Sequence, residues 1–286
     1  MPPLELLRSW VLRQAGDQAG WFAERLDALA AGPAERELHI VLGLAPRRLG
    51  KADLALTGAD EAEAEAAHPG WRPRGWSVDG AARVAALLAY RGQRPFAETF
   101  KDLRRTSDVA EMIALYRGLP LYPKPESLDF EVGEGLRSNI VAVFEAVTQN
   151  NPYPRDHFDE HRWNHMVLKA LFVGSRIAPV LGLDERANAE LARIMRDFAH
   201  ERWAAGRQVP AELWRCVGPF ADDEAALGDL KRALAGGPAE RAAAALALTA
   251  SPAGGAAAIL ATAPDMARAV AAGTLEWDTL PEEETT

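Results

Sequence analysis

The sequence predicts an all-α fold of antiparallel αα-hairpins, stacked as an irregular HEAT-like helical-repeat domain. Apolar residues recur every three or four positions along most of the 286-residue chain, which is typical of amphipathic helices. In addition, residues 29–36 (LAAGPAER) recur as 234–241 (LAGGPAER), each between two helical patterns. We expect glycine to end one helix and proline to begin the next, as in a hairpin elbow. Two elbows that arose independently are the alternative, and both interpretations give an all-α protein.

Residues 1–117 are expected to form the N-terminal helices. The first two separate near Gly16, and we assign 39–44 to a helix because it continues a stretch rich in alanine, glutamate and arginine. We expect 45–76 to be irregular, since it ends in the loop sequence 70–76 (GWRPRGW). The two tryptophans of that loop plug the core beneath it or, in the alternative, form a binding platform.

The rest of the chain continues the helical pattern with one clear break. Ser77 is expected to cap a helix that runs to Tyr90, and 118–126 reads as a helix end followed by an extended linker. A short apolar stretch at 128–132 is compatible with extended structure. We expect a single all-helical domain over 1–277, with its central signature region at 127–220, C-terminal helical hairpins at 221–277 and a disordered acidic tail at 278–286.

Residues 157–161 (HFDEH) match the inverted zinc-protease pattern H-x-x-E-H, which requires both histidines and the glutamate on one helix. The apolar spacing that follows predicts a helix with Asp159 as its N-cap and a hydrophobic staple between Phe158 and Trp163. The first histidine then precedes the helix, although a start at Asp156 would restore the zinc geometry. A further pair of histidines four residues apart has no clear third ligand. We therefore predict no metal site.

The segment 151–220 concentrates asparagine, histidine, arginine and tryptophan. We expect 182–188 to open a helix capped by Asp184, followed by a short helix at 210–220 closed by Gly-Pro. Burial of such charged groups requires partners or a ligand, so a structural ion-pair network and a concave binding face remain as alternatives. The candidate binding residues are Asn164, Lys169, His200, Arg202, Arg207 and Trp214. Cys216 has no histidine at motif spacing, and we assign no catalytic residue.

The amino-acid composition limits the classes of molecule that we expect the protein to bind and the compartment in which we expect it. The net charge of −9 disfavours a nucleic-acid surface, which requires clustered positive charge. One cysteine cannot form an internal disulfide, and the N-terminus lacks the apolar core of a signal peptide. The uncharged stretch 242–264 is mostly alanine and is interrupted by Pro-Ala-Gly-Gly, so we expect two short helices and no transmembrane span. These features predict a cytoplasmic protein, and the absence of cofactor motifs predicts no cofactor.

Several stretches resemble the EboA domain family. They are 36–54, the loop 70–76 (GWRPRGW), 151–154 (NPYP), 163–172 (WNHMVLKALF) and, most closely, 197–220. The resemblance covers the chain from about residue 20 to 250. It implies a protein encoded beside a prenyltransferase-like and a cyclase-like protein, in a set linked to making or moving a small secondary metabolite.

The resemblance names no reaction, and two hypotheses follow. In the first, the chain is a non-catalytic helical-repeat binding or scaffold protein of a secondary-metabolite biosynthesis or export cluster. Its partners would be other cluster-encoded enzymes or an isoprenoid-like small molecule. In the alternative, it is an α-helical enzyme that acts on a cyclic polyol or prenylated intermediate, using the polar residues of 151–220. The absence of a grouped-carboxylate motif disfavours chemistry on a prenyl diphosphate, because that chemistry requires Mg²⁺.

Overall fold

The computed structural model describes residues 1–281, which form 17 α-helices and a single isolated β-bridge in this part of the chain. The helices are α1 (Pro3–Gln14), α2 (Ala19–Ala30), α3 (Glu35–Leu49), α4 (Gly58–Ala67), α5 (Val78–Ala89), α6 (Phe96–Thr106), α7 (Val109–Arg117), α8 (Asp129–Arg137), α9 (Val141–Thr148), α10 (Tyr153–His157), α11 (Glu160–Phe172), α12 (Ala189–Ala204), α13 (Leu213–Val217), α14 (Glu224–Leu234), α15 (Pro238–Ala250), α16 (Ala256–Leu260) and α17 (Pro264–Ala271). The predicted all-α fold is confirmed. The HEAT-like stacking of hairpins stays a prediction.

The helices form two compact units, one of residues 1–158 and one that begins at residue 159. In the first unit α5 lies at the centre and packs against α1, α2, α3 and α7. Most of its residues are alanine, valine or leucine and are buried on all sides. The predicted Ser77 cap is confirmed, because its Oγ accepts a hydrogen bond from the backbone N–H of Gly80 at 3.2 Å.

The prediction that 45–76 is irregular is wrong. Helix α3 continues to Leu49, and the acidic run lies within α4. Thr57 and Asp60 form a capping box at the start of α4, in which each side chain bonds to the backbone N–H of the other. Alternating alanine and glutamate are strong helix formers, so this segment needed only that cap to fold as a helix. The assignment of 39–44 to a helix is confirmed.

The two Gly-Pro elbows differ in geometry. In the first, Gly32 adopts a left-handed φ of 78° as expected, but Pro33 lies before α3 rather than in its first turn. In the second, Pro238 is the first residue of α15 as expected, but Gly237 precedes it with an ordinary φ of −66°. Each elbow therefore shows one half of the predicted motif, although both do separate consecutive helices.

In the second unit the alanine-rich helix α15 packs against α13, α14, α16 and α17. Its small side chains allow close approach, since a Cβ added to Gly218 would lie 2.8 Å from the Cα of Ala247. The uncharged stretch is divided between α15 and α16, and no helix among the described residues is long and apolar enough to cross a membrane. The cytoplasmic location stays a prediction.

Helix boundaries in the middle of the chain confirm one predicted cap and correct another. The Asp159 carboxylate accepts the backbone N–H of Arg162 at 2.7 Å and caps α11, whereas His157 ends α10. The expected helix start at Asp184 is wrong: α12 is capped by Asn188, and Asp184 instead pairs with Arg215. At the C-terminus, residues Trp277–Thr279 form a short 3-10 helix, and 282–286 of the predicted tail lie outside the described residues.

Candidate binding cleft

Two of the six predicted binding residues lie on α11. Asn164 is buried and exchanges two side-chain hydrogen bonds with Asn188, the N-cap of α12, at 3.1 and 2.9 Å. Its amide therefore holds α11 against the start of α12. Lys169 is half-buried, and burial lowers the pKa of its ammonium group.

The other four lie on and after α12. His200 bonds to Asp229 at 2.7 Å and stacks on Trp203, which in turn stacks on the fully buried Trp214 at 5.6 Å. The Arg232 guanidinium lies 4.1 Å from the Trp203 ring. The remaining two of the six lie at the end of this region: Arg202 is half-buried and donates to the Gln208 carbonyl, and Arg207 is exposed. The rings of His200 and Trp214 thus both stack on Trp203. A binding face formed by these residues stays a prediction.

A row of three adjoining cavities lies instead in the first unit. Their volumes are about 390, 120 and 20 Å³. The large and middle cavities share Arg72, Arg74 and Asn150 as lining residues, and the middle and small ones share Trp76, Ile113 and Arg117. The row is formed by the loop 70–76, one side of α4, the C-terminal half of α7, helix α9 and the turn after it. We call this row the cleft.

Two buried tryptophans fix the loop that carries two of the cleft arginines. The Trp71 ring lies 5.3 Å from that of Trp10 and 6.2 Å from that of Trp76. The backbone on the C-terminal side is held by the β-bridge, in which the N–H of Leu54 donates to the Trp76 carbonyl at 2.7 Å. Trp71 and Trp76 therefore act as core plugs, as the sequence indicated. Of the residues between them, Arg72 and Arg74 are exposed and Pro73 is buried.

Glycines set the path of the same loop. Gly70 and Gly75 adopt left-handed φ angles of 85° and 76°, which favour glycine. A Cβ on Gly70 would lie 3.0 Å from the Arg155 guanidinium and 3.2 Å from Pro152. The loop thus requires glycine at this position for both its backbone conformation and its close contact with the residues after α9.

The turn after α9 forms the opposite wall. Asn151 is buried, and its amide donates to the carbonyls of Tyr116 and Ala146, each at 3.0 Å. Asn150, next to it, has a left-handed φ of 50°, a conformation that asparagine tolerates better than most residues. The anchored Asn151 thereby holds Asn150 in the wall of the large and middle cavities.

Three arginines and three glutamates line the cleft among the described residues, so its formal charges balance, but only one of these arginines forms an ion pair. Arg74 pairs in a bidentate manner with Glu61, at 2.6 and 2.7 Å, which lowers the pKa of that carboxyl. Arg117 donates to the Gly75 carbonyl at 2.9 Å, and burial lowers the pKa of its guanidinium. Within the described part of the chain, neither Arg117 nor Arg72 has a carboxylate within ion-pair distance. The guanidiniums of Arg72 and Arg117 are therefore not ion-paired, although the Glu145 carboxylate lines the same middle cavity.

The remaining groups of the large and middle cavities suit binding more than acid–base chemistry. Their lining among the described residues comprises arginines, glutamates, side-chain amides and apolar groups, without histidine, cysteine or serine. Elsewhere, burial raises the pKa of the Cys216 thiol to about 12, so this residue is not an activated nucleophile. No group of three or more histidine, cysteine or acidic residues that could hold a metal occurs in the described residues.

A family model described as "Metabolite traffic protein EboA" matches residues 4–218. The chain belongs to the EboA family. No curated protein and no solved structure matches it. All residues of the cleft fall within the range that the EboA model covers, as do the six residues predicted from the sequence.

Two stretches that carry the EboA resemblance meet in the cleft, namely the loop 70–76 and the turn that leads into 151–154. The sequence suggested a binding platform at the loop only as the alternative to core plugs, and none of the six candidate binding residues lies in either stretch. The available signal was the pair of arginines between two tryptophans, because buried rings on both sides force the intervening side chains outward. Arg117, by contrast, carries no local signal that separates it from the other arginines at helix ends.

Proposed function

We propose that this EboA-family protein is a non-catalytic binding protein that takes up a small anionic metabolite in the cleft. The observation that carries the proposal is the environment of Arg117. Its guanidinium is half-buried, lines the middle and small cavities and has a backbone carbonyl as its hydrogen-bond partner, with no carboxylate at ion-pair distance among the described residues. A desolvated cation of this kind is stabilised when an anion arrives.

Geometry supports an anion in the middle cavity. Arg72 lines the same space as Arg117, and the side chain of Asn150 adds an amide donor. Glu145 is the carboxylate of this lining, and the Gln149 amide donates to it at 3.5 Å. A planar guanidinium can donate two parallel hydrogen bonds to a carboxylate or phosphate, which makes arginine well suited to these groups. We therefore expect the anionic end of the metabolite to lie between Arg72 and Arg117.

We expect the bound molecule to leave the cleft chemically unchanged. Glu61 is paired with Arg74 and is held as a carboxylate, so it is a poor proton donor at neutral pH. The family description concerns metabolite traffic, which fits carriage of a molecule between proteins. We propose that the enzymes of a metabolite cluster are its partners, and that stacked helical hairpins of HEAT-like type serve as the scaffold for them. The isoprenoid-like ligand expected from the resemblance is the competing ligand class.

The test is calorimetric titration of the full chain with a panel of small carboxylates and phosphate monoesters. We expect at least one to bind, and the variant Arg72→Ala/Arg117→Ala to bind it at least tenfold more weakly. Arg47→Ala is the matched control, because Arg47 is an exposed arginine of the same unit that lies outside the cleft lining. Mass spectrometry of the recovered ligand should show it unchanged. Equal binding by the double variant, or a chemically altered ligand, would disprove the proposal.

A further inference from the structure

We infer, building on the proposed function, that the ligand is a polyhydroxylated anion of the sugar-phosphate type. Its anionic group would occupy the middle cavity beside Arg72 and Arg117, and its hydroxyl-bearing body the large cavity. This inference names a ligand class different from the isoprenoid-like molecule that the family resemblance suggested.

The two volumes fit a ligand of two unequal parts. The middle cavity, at about 120 Å³, has about a third of the volume of the large one, at about 390 Å³. The middle cavity is thus suited to a group of a few atoms, such as a phosphate or carboxylate. The large one is suited to a body the size of a monosaccharide.

The chemistry of the large cavity favours hydroxyl groups over hydrocarbon. Five of its seven lining residues carry charged or amide side chains: Glu61, Glu65, Arg72, Arg74 and Asn150. The carboxylates accept hydrogen bonds from hydroxyls, and the guanidinium and amide groups donate to them. An apolar body would remove these groups from water without replacing their hydrogen bonds, at a cost for each group left unpaired.

The apolar part of the same cavity is small. Trp71 and Pro73 contribute the remaining lining, and both are largely buried. The indole N–H of Trp71 is also buried and lacks a hydrogen-bond partner among the described residues. Little apolar surface is therefore offered to a ligand, and a sugar body would be held mainly by the polar groups of the cavity.

The test compares four probes by calorimetry: glucose 6-phosphate, glucose, inorganic phosphate and hexyl phosphate. Glucose has the sugar body of glucose 6-phosphate without its phosphate, whereas inorganic phosphate and hexyl phosphate have a phosphate group without the sugar body. We expect glucose 6-phosphate to bind at least tenfold more tightly than each of them. The variant Glu65→Gln should bind glucose 6-phosphate several-fold more weakly than the wild type and should bind inorganic phosphate with unchanged affinity. It removes the charge but keeps an acceptor for the N–H of Gly70, which Glu65 binds at 2.9 Å.

Glu63→Gln is the matched control, since Glu63 lies on the same helix but outside the cleft lining. If hexyl phosphate binds as tightly as glucose 6-phosphate, the sugar body is disproved while the proposed function stands. If glucose binds as tightly, the anionic part is disproved. If no phosphate probe binds, the inference of a sugar-phosphate ligand is wrong. The proposed function is then tested separately by the titrations with small carboxylates, because binding of a carboxylate would still support an anionic ligand.

Discussion

The side-chain amide of Asn151 donates a hydrogen bond to the backbone carbonyl of Tyr116 at 3.0 Å. Tyr116 immediately precedes Arg117 at the end of α7, and Asn151 immediately follows Asn150 in the turn after α9. One buried hydrogen bond therefore joins the two walls of the cleft next to the residues that we propose bind the ligand.

Replacement of Asn151 by alanine should destabilise the chain by about 3 kcal/mol. The change removes two donated bonds and the bond that the N–H of Tyr153 makes to the Asn151 side chain, and it leaves buried partners unsatisfied. Urea unfolding of both proteins measures the difference. Asn150→Gly is the control, since glycine relieves the left-handed φ of 50° and should leave stability unchanged or slightly higher. A loss below about 1 kcal/mol for Asn151→Ala would contradict the expected role.

Stability should depend on pH through Asp60. Its buried carboxylate accepts two hydrogen bonds from Arg13, at 2.9 and 2.8 Å, and these bonds are the largest cause of its lowered pKa. A folded-state pKa below the unfolded value of about 3.9 stabilises the fold fully above that pH. The contribution is lost as the pH falls from about 4 through the folded-state pKa.

The free energy of unfolding should therefore differ between wild type and Asp60→Asn by a constant amount above about pH 5. The difference should shrink as the pH is lowered below about 4. Urea titrations at a series of pH values measure this difference directly, because the other carboxyl groups are common to both proteins. A difference that does not change with pH would show that the ion pair contributes nothing to acid sensitivity.

Two glycines in the second unit should respond to alanine in opposite directions. A Cβ at Gly218 would lie 2.8 Å from both the Cα and the carbonyl oxygen of Ala247, so Gly218→Ala should destabilise by about 1–3 kcal/mol. Gly228 lies inside α14 with open space around its Cβ position, so Gly228→Ala should stabilise by about 0.5–1 kcal/mol. Thermal and urea unfolding test the pair, and equal effects would contradict the close contact between Gly218 and α15.

A pair of arginine variants separates a structural ion pair from a binding role in the second unit. Arg215 makes two bonds to Asp184, at 2.7 and 2.6 Å, and its replacement by alanine should lower stability by about 1 kcal/mol. Arg207 is exposed, so Arg207→Ala should change stability by less than about 0.5 kcal/mol. If Arg207→Ala nevertheless abolishes association with a partner protein in a pull-down, the predicted binding face gains support. If the Arg207→Ala variant has a lower melting temperature than the wild type and still associates with the partner protein, Arg207 has a structural role.

The purified chain should bind no stoichiometric zinc at its histidines. The rings of His161 and His165 lie 4.3 Å apart on α11, whereas His157 belongs to the separate helix α10. Elemental analysis after dialysis against zinc measures occupancy. One zinc per chain that disappears in the variant His161→Ala/His165→Ala would show that these two residues find further ligands, and it would disprove the prediction.

Local sequence predicted the helices and several of their ends. The caps at Ser77 and Asp159 followed from residues within four positions of each, so the sequence contained all of the relevant information. The predicted cap at Asp184 failed because a residue 31 positions away, Arg215, pairs with that carboxylate, and Asn188 caps the helix instead. A local sequence pattern cannot show whether a carboxylate will cap the nearby helix or pair with a residue that is distant in sequence.

The cleft could not be predicted from the local sequence, for the same physical reason. Its arginines lie at 72, 74 and 117, and its amides at 149 and 150, so only the folded first unit brings them together. Arg117 resembles any basic residue in the last turn of a helix, where such residues are common. What distinguishes it is the burial and the missing carboxylate, and both are properties of tertiary structure.

The anchoring of Asn151 has a consequence for experiments on the free and the ligand-bound protein. Because the walls of the cleft come from segments between residues 61 and 151, opening the site requires separation of helices that are distant in sequence. A ligand that binds only the folded form therefore protects the whole first unit, by RT ln(1 + [L]/Kd), and not one loop. Amide hydrogen exchange should accordingly slow together along α5, α7 and α9 when the ligand is added. For an uncharacterised metabolite, that collective slowing is a readout that requires no knowledge of its reaction.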